Sequence, residues 1–99
     1  MPAYWVNTYR SVSDPEKQAA YAALAGEVMA EHGGRFLARG TAVHAFESGL
    51  VERTVVIEFP DVAAALAAHE SDGYQEALRV LGEGAERDLR IVDGVAQST

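Results

Sequence analysis

The chain has 99 residues, the size of one small domain that leaves much of its surface exposed, so self-association would help to stabilise it. Fifteen acidic residues against eight scattered basic ones give a net charge of −7, which excludes the basic surface that nucleic acid or an anionic membrane requires. The absence of cysteine excludes disulfides and thiolate chemistry, and no apolar stretch is long enough to span a bilayer. We therefore expect a cytoplasmic protein.

The first element is a predicted strand over Tyr4–Arg10, where large side chains alternate on both faces. A helix follows, and its start has two explanations. Ser13 and Glu16 have the spacing of a capping box, whereas Asp14 before Pro15 would place a proline at the first helical position. Both explanations predict a helix that begins at this point.

The first helix carries one apolar stripe about five turns long. Its members recur at helical spacing: Tyr21, Leu24, Ala25, Val28, Met29 and His32. Gly33-Gly34 then predicts the end of the helix, because glycine adopts the left-handed conformation of a C-terminal cap without strain.

Two strands joined as a hairpin are predicted next. Arg35–Phe46 is strand-like, and Gly40 within it predicts a bulge or bend. Glu47-Ser48-Gly49 supplies a turn close to the start of the following strand at Val51 or Glu52. The pattern predicts a long, kinked second strand that pairs antiparallel with the third.

The third strand has no polar face. Its alternating side chains fall into two sets, Val55, Ile57 and Phe59 on one side and Thr54, Val56 and Glu58 on the other. A strand of this kind is covered on both sides, and we expect helices on one face and a second copy of the chain on the other.

Asp61 caps a second helix, whose predicted inner face is Val62, Ala65, Leu66 and His69. Ser71-Asp72-Gly73 breaks it, and a further helical piece follows with Tyr74, Ala77, Leu78 and Leu81 inward. Gly82 and Gly84 end that piece. Leu89–Val92 is the last strand, and the domain is expected over residues 1–95, with a tail at 96–99.

This order is β-α-β-β-α-β, which predicts an α+β, ferredoxin-like fold with a four-stranded antiparallel sheet and both helical segments on one face. The other face would expose either Trp5 and Tyr9 or Tyr4 and Val6. At about 1.5–3 kcal/mol for each large apolar side chain, that surface is too apolar to remain in water. We expect a homodimer through the sheet face.

Several fragments together resemble a known family. They are Asp14-Pro15-Glu16 with Tyr21, the run Gly33–Gly40, the run Val56–Asp61, Ser71 with Tyr74-Gln75, and Val92–Val95. In this order they are similar to domain-of-unknown-function family 1330, a branch of the dimeric α/β-barrel superfamily. The resemblance covers nearly the whole chain and implies a ferredoxin-like dimer. It implies no single activity, since the superfamily includes cofactor-free monooxygenases, isomerases, haem enzymes and apparent binding proteins.

The three histidines lie on three different elements without ligand-like spacing, so no metal site is expected. His32 suits the C-terminal dipole of the first helix, and His44 is expected to face solvent or the dimer contact. His69 closes an apolar stripe and points toward the sheet. It is the candidate catalytic residue, an acid or base in a cleft, although a half-buried structural histidine is the preferred alternative.

The other candidate ligand-binding residues are Asn7, Tyr9, Arg39, Glu58 and Tyr74. If its face meets a dimer partner, Glu58 is expected to form a structural ion pair with a cation such as Arg39 or Arg53 rather than to act in catalysis. Asn7 and Tyr9 share a face of the first strand, where they either line one cavity or hydrogen-bond across a dimer. Tyr74 is mainly a core residue whose hydroxyl could reach the cleft.

Two functions from different classes are compatible with these features. The first is a homodimer that binds a small, partly apolar molecule between helices and sheet, with acid/base chemistry that needs no cofactor as an extension. The alternative is a non-enzymatic accessory or interaction module whose cleft is filled by its own side chains. No motif for nucleophilic hydrolysis or nucleotide binding is present.

Overall fold

The computed structural model describes residues 1–96 as two layers, an antiparallel sheet and three helices that cover one of its faces. The strands are β1 (Ala3–Val12), β2 (Arg35–Thr41), β3 (Arg53–Phe59) and β4 (Ala85–Asp93), in the order β2-β3-β1-β4. The helices are α1 (Pro15–Glu31), α2 (Val62–Glu70) and α3 (Asp72–Leu81). The predicted ferredoxin-like layout is confirmed. Of the predicted tail at 96–99, only Ala96 lies within the described residues.

Side-chain caps set the starts of all three helices. The Asp14 side chain accepts a hydrogen bond from the backbone N–H of Lys17 at 3.1 Å, and Pro15 is the first helical residue. The second explanation for the start of α1 is therefore correct, and the Ser13 hydroxyl instead donates to a carbonyl oxygen in the α3–β4 connection. Asp61 and Ser71 cap α2 and α3 in the same way. The predicted break between these two helices is confirmed.

The side chains of the central strand β1 alternate between the two faces of the sheet. Ala3, Trp5, Asn7 and Tyr9 are buried under the helices. Tyr4, Val6 and Thr8 point the other way and are only half-buried. Strand β3 alternates in register, with Ile57 opposite Trp5 and Val55 opposite Asn7. We call the helix-covered side the inner face and the opposite side the outer face.

Three of the largest fully buried side chains, Trp5, Phe59 and Tyr74, meet in the apolar core. The ring centroids of Trp5 and Tyr74 lie 5.2 Å apart in an edge-on arrangement, and Phe59 lies 6.0 Å from Trp5. One part of the predicted α2 face is wrong, because Leu66 is 45% exposed whereas Ala68 is fully buried. Small alanines at the buried positions allow this short helix to approach the bulky aromatic rings closely, which a leucine would prevent.

Strand β2 is shorter than predicted. It ends at Thr41, and its irregularity lies at Leu37, between the residues that pair with Ile57 and Val56 of β3, rather than at Gly40. Residues 42–52 form an irregular arm that carries His44, so this histidine is exposed on a loop and not on a strand. The predicted long strand is wrong because β3 begins only at Arg53, so the ladder between β2 and β3 ends at the pair Thr41–Arg53. Beyond it, the two ends of the arm are joined by one backbone hydrogen bond, from the N–H of Ala42 to the carbonyl oxygen of Glu52 at 2.9 Å.

No helix within residues 1–96 is both long enough and apolar enough to cross a membrane.

Candidate functional site

A cavity of about 30 Å³ lies between α1 and the inner face of the sheet, on the side of β2 and β3. One water molecule needs about 10–15 Å³ when the volume is measured in this way, so the cavity has room for about two waters. Most of its lining is apolar, and the polar part comes from Asn7, Tyr9, Arg39 and Arg53. The remaining lining residues are Tyr21, Ala22, Ala25, Gly26, Met29, Phe36, Val55 and Ile57.

Small residues of α1 create this space. Ala22, Ala25 and Gly26 form the helix side of the cavity, so no long side chain fills the gap above the sheet. Gly26 lies inside the helix, where glycine is less stable than alanine by about 1 kcal/mol. A methyl group placed on Gly26 would meet no atom within 4 Å, so close packing does not require glycine there. Its effect is to keep the cavity open.

Two polar atoms in this region have no hydrogen-bond partner among the described residues. They are the amide oxygen Oδ1 of Asn7 and the guanidinium nitrogen Nε of Arg53, and both are buried. Asn7 as a whole is only 3% exposed. A buried polar group without a partner costs about 1–3 kcal/mol of folding free energy. Asn7 and Arg53 both line the cavity, so each brings a buried polar atom without a partner to its wall.

A tyrosine–arginine network borders the cavity. Arg87 Nη1 donates a hydrogen bond to the Tyr21 hydroxyl at 2.7 Å, and the hydroxyls of Tyr21 and Tyr74 share a hydrogen bond of 2.8 Å. The guanidinium carbon of Arg87 lies 4.6 Å from the centre of the Tyr21 ring. Burial, with a further contribution from Tyr74, raises the pKa of Tyr21 well above its ordinary value, although Arg87 acts in the opposite direction. The phenol remains neutral.

Three of the predicted site residues, Asn7, Tyr9 and Arg39, meet at the cavity. Glu58 does not; it forms the expected structural ion pair, but the partner is Arg35 and not one of the two arginines given as examples, Arg39 and Arg53. Its carboxylate lies on the outer face, 2.9 Å from the guanidinium of Arg35. The bulge at Leu37 explains this, because one extra residue reverses the alternation of β2, turning Arg35 outward and Arg39 inward.

His69 and Tyr74 lie in the aromatic core rather than at the cavity. The His69 ring is 5.8 Å from the Trp5 ring and 5.1 Å from the Tyr74 ring, centre to centre. The Tyr74 hydroxyl is directed to Tyr21. His32 Nδ1 lies 2.9 Å from the carbonyl oxygen of Val28, at the end of α1. Within residues 1–96 no group of three or more histidine, aspartate or glutamate side chains is arranged to hold a metal ion.

The sequence interpretation missed Arg53 and Arg87 as inner-face residues. Arg53 has the same parity along β3 as Val55 and Ile57, and Arg87 has the same parity along β4 as Leu89. This alternation was the signal that could have found them. Tyr21 was recognised only as a member of the apolar stripe, because its hydroxyl partners come from distant parts of the chain.

Residues 2–95 match the family model described as a domain of unknown function, DUF1330. The chain belongs to this family. The resemblance seen in the sequence fragments is thus confirmed over almost the full length. No curated protein matches the chain significantly.

Solved structures with low sequence identity share the fold of this DUF1330 protein. A protein of unknown function from Rhodopseudomonas palustris superposes with a TM-score of 0.72 at 21% identity, over 97% of this chain and 84% of that one. SnoaB, a cofactor-independent oxygenase from Streptomyces nogalater, gives 0.62 at 18% identity, over 99% and 95%. A dimeric ferredoxin-like protein of unknown function from Thermobifida fusca gives 0.64 at 12% identity, over 94% and 91%. At these identities the likeness establishes the ferredoxin-like fold alone.

The raised pKa of Tyr21 predicts a loss of stability at high pH. A group whose pKa is higher in the folded state stabilises that state fully below its unfolded pKa of about 10, and the contribution declines as the pH rises further. Above pH 10 the unfolding free energy of the wild type should therefore fall relative to that of Tyr21→Phe, by up to about 1.4 kcal/mol per pH unit. Urea unfolding between pH 8 and pH 11 measures this difference.

Tyr4→Phe is the matched control, since it removes a hydroxyl from the outer face and retains Tyr21. It should follow the pH dependence of the wild type. If Tyr21→Phe shows the same alkaline slope as the wild type, the Tyr21 phenol is not the group that resists ionisation.

Proposed function

We propose that this protein binds a small, partly apolar molecule in the cleft between α1 and the inner face of the sheet. The observation that carries the proposal is that Asn7, whose buried amide oxygen has no partner among residues 1–96, lies in the wall of a cavity. Binding sites of small molecules combine an apolar lining with a few convergent polar groups, and this cavity has both features.

The size of the cavity determines how a ligand would sit. The enclosed volume holds only a polar head group, so the rest of the molecule lies at the mouth, between Gly26 on α1 and Phe36 and Arg39 on β2. Phe36 is half-buried and Arg39 is exposed, with the guanidinium carbon of Arg39 4.4 Å from the ring centre of Phe36. This pair provides a flat surface for an apolar or aromatic body.

The alternative is an accessory module whose cleft is filled by its own side chains. The unpartnered atoms of Asn7 and Arg53 count against it, because a self-filled cleft would be expected to satisfy them or to replace them with apolar groups. We do not extend the proposal to catalysis. His69, the catalytic candidate, packs between aromatic rings, and likeness to an oxygenase at 18% identity supports no reaction.

Gly26→Leu tests the cleft directly. The leucine side chain should fill the mouth, and the change from glycine should stabilise α1 by about 0.5–1 kcal/mol. We expect the variant to melt at or above the wild-type temperature and to lose binding of the partly apolar probe 1-anilinonaphthalene-8-sulfonate, measured by fluorescence. Native mass spectrometry should also show the loss of any ligand carried through purification.

The matched control is Ala23→Leu, which adds a leucine to the exposed side of the same helix. This variant should bind the probe as the wild type does. Equal binding by Gly26→Leu and Ala23→Leu would place the probe elsewhere, on the outer face for example, and would reject the cleft.

We further propose that the protein is a homodimer through the outer face of the sheet. Tyr4, Val6 and Val56 are half-buried there, and Val92 is 50% exposed. The arm adds exposed apolar side chains, of which Val43 and Phe46 are the most accessible. Apolar surface on this scale is typical of an association site, and the neighbour from Thermobifida fusca is itself described as dimeric.

Sedimentation tests the dimer. At low micromolar concentration the mass should be roughly twice the chain mass of 10.6 kDa, and Val56→Glu should give monomers because two carboxylates would then be buried in one interface. Leu66→Glu, on the exposed side of α2, is the control that should remain dimeric. A wild-type protein that sediments as a monomer at tens of micromolar would contradict the proposal.

A further inference from the structure

The arginines of this acidic chain divide into two groups by location. Four of them form ion pairs with carboxylates at 2.6–3.8 Å, and these are Arg10, Arg35, Arg79 and Arg90. Each of these four is exposed. The remaining three, Arg39, Arg53 and Arg87, have no carboxylate within 4.0 Å in the part of the chain that the structure describes. With fifteen acidic residues available, the lack of partners for these three cations needs an explanation.

The three unpaired arginines share the inner face of the sheet. Arg39 lies opposite Val55 on β3, and Asn7 lies opposite the same residue from the other side. Arg53 lies two residues before Val55 on the same face, and Arg87 lies opposite Tyr9. The sheet therefore collects positive charge on neighbouring strands at one end of the inner face, under α1.

Two of these cations lie in the wall of the cavity. Arg39 and Arg53 line it, and Arg53 Nε is the buried donor without a partner. Arg87 is held behind the cavity by its hydrogen bond to Tyr21. Since the Tyr21 phenol is neutral, it does not compensate the charge of Arg87. The cleft is thus a site of uncompensated positive charge in a protein whose net charge is −7.

We propose that the ligand of this cleft is a monocarboxylate with an apolar, planar body, an inference that rests on the binding function proposed above. The carboxylate accepts hydrogen bonds from Arg53 Nε and from the guanidinium of Arg39. The body lies against Phe36 at the mouth, and a donor next to the carboxylate, such as a hydroxyl, is directed toward the amide of Asn7. Guanidinium groups match the planar geometry of a carboxylate, which favours this head group.

The lining favours a carboxylate over a phosphate. Phosphate sites in proteins use several backbone N–H groups from a helix N-terminus or a glycine-rich loop. The helix residues at this cavity are Ala22, Ala25, Gly26 and Met29, in the interior of α1, and the sheet contributes mainly apolar side chains. A dianionic head would find two arginines and few other donors here.

Benzoate and benzamide form a matched pair of probes, since they share size and shape and differ in charge. Heteronuclear NMR titration of the wild type should show saturable benzoate binding at amides around the cavity. Because a hydrogen bond to a charged group is markedly stronger than one to a neutral group, benzamide should bind at least about tenfold more weakly. Benzoate binding should also weaken between 50 mM and 500 mM sodium chloride.

Variants separate the arginines from general charge effects. Arg39→Gln and Arg53→Gln should each weaken benzoate binding by about tenfold or more and leave benzamide binding within about twofold. Arg79→Gln removes the same unit of charge from exposed α3 and should bind benzoate as the wild type does. Arg39 is exposed, so its variant keeps the test valid if Arg53→Gln fails to fold.

The outcomes that overturn the inference differ from those that overturn the binding function. If benzamide binds at the cavity as tightly as benzoate, the cleft is a binding site but not one selected by charge. If inorganic phosphate binds more tightly than benzoate, the carboxylate assignment is wrong. If neither aromatic probe perturbs the cavity amides and Gly26→Leu leaves 1-anilinonaphthalene-8-sulfonate binding unchanged, the cleft itself is rejected.

Discussion

A buried amide oxygen in the central strand is the constraint on which the rest of the site depends. Strand β1 must bury one face under the helices to form a core, and three of its four residues there, Ala3, Trp5 and Tyr9, suit that environment. Asn7 does not, because its oxygen is removed from water and given no partner among the described residues. The inner face therefore divides into an aromatic core under α2 and α3 and, under α1, a mostly apolar cleft with a few polar groups in its wall.

The arginines also divide according to their position in the structure. Carboxylates pair with four exposed arginines, whereas the three arginines of the inner face have no carboxylate partner within residues 1–96. One local irregularity contributes to this arrangement, since the bulge at Leu37 places Arg35 beside Glu58 on the outer face and turns Arg39 toward the cleft. A regular strand would have put both arginines on the same side. The backbone of β2 thus helps to determine the chemistry of the site.

The sequence was sufficient for the fold because its main signals are local. Caps at Asp14 and Asp61 and the break at Ser71-Asp72-Gly73, together with alternating strands, predict the order of elements without knowledge of contacts. Only some of the residues at the site could be predicted from the sequence. Asn7 and Tyr9 follow from simple alternation along β1, whereas the inward turn of Arg39 needs a bulge that no residue type announces. His69 drew attention through helical spacing and does point inward, but its ring packs against Trp5 and Tyr74 and does not line the cavity.

The central claim is that Asn7 is kept for a ligand and not for the stability of the fold, and the unfolding free energy of Asn7→Leu tests it most directly. Leucine has a similar volume to asparagine and removes the unpartnered polar group. Urea unfolding of dialysed, ligand-free protein should therefore give the Asn7→Leu variant a stability equal to or above that of the wild type. The variant should also lose benzoate binding. A structural asparagine would behave in the opposite way. A fall in stability of about 1–3 kcal/mol, with binding retained, would contradict the account.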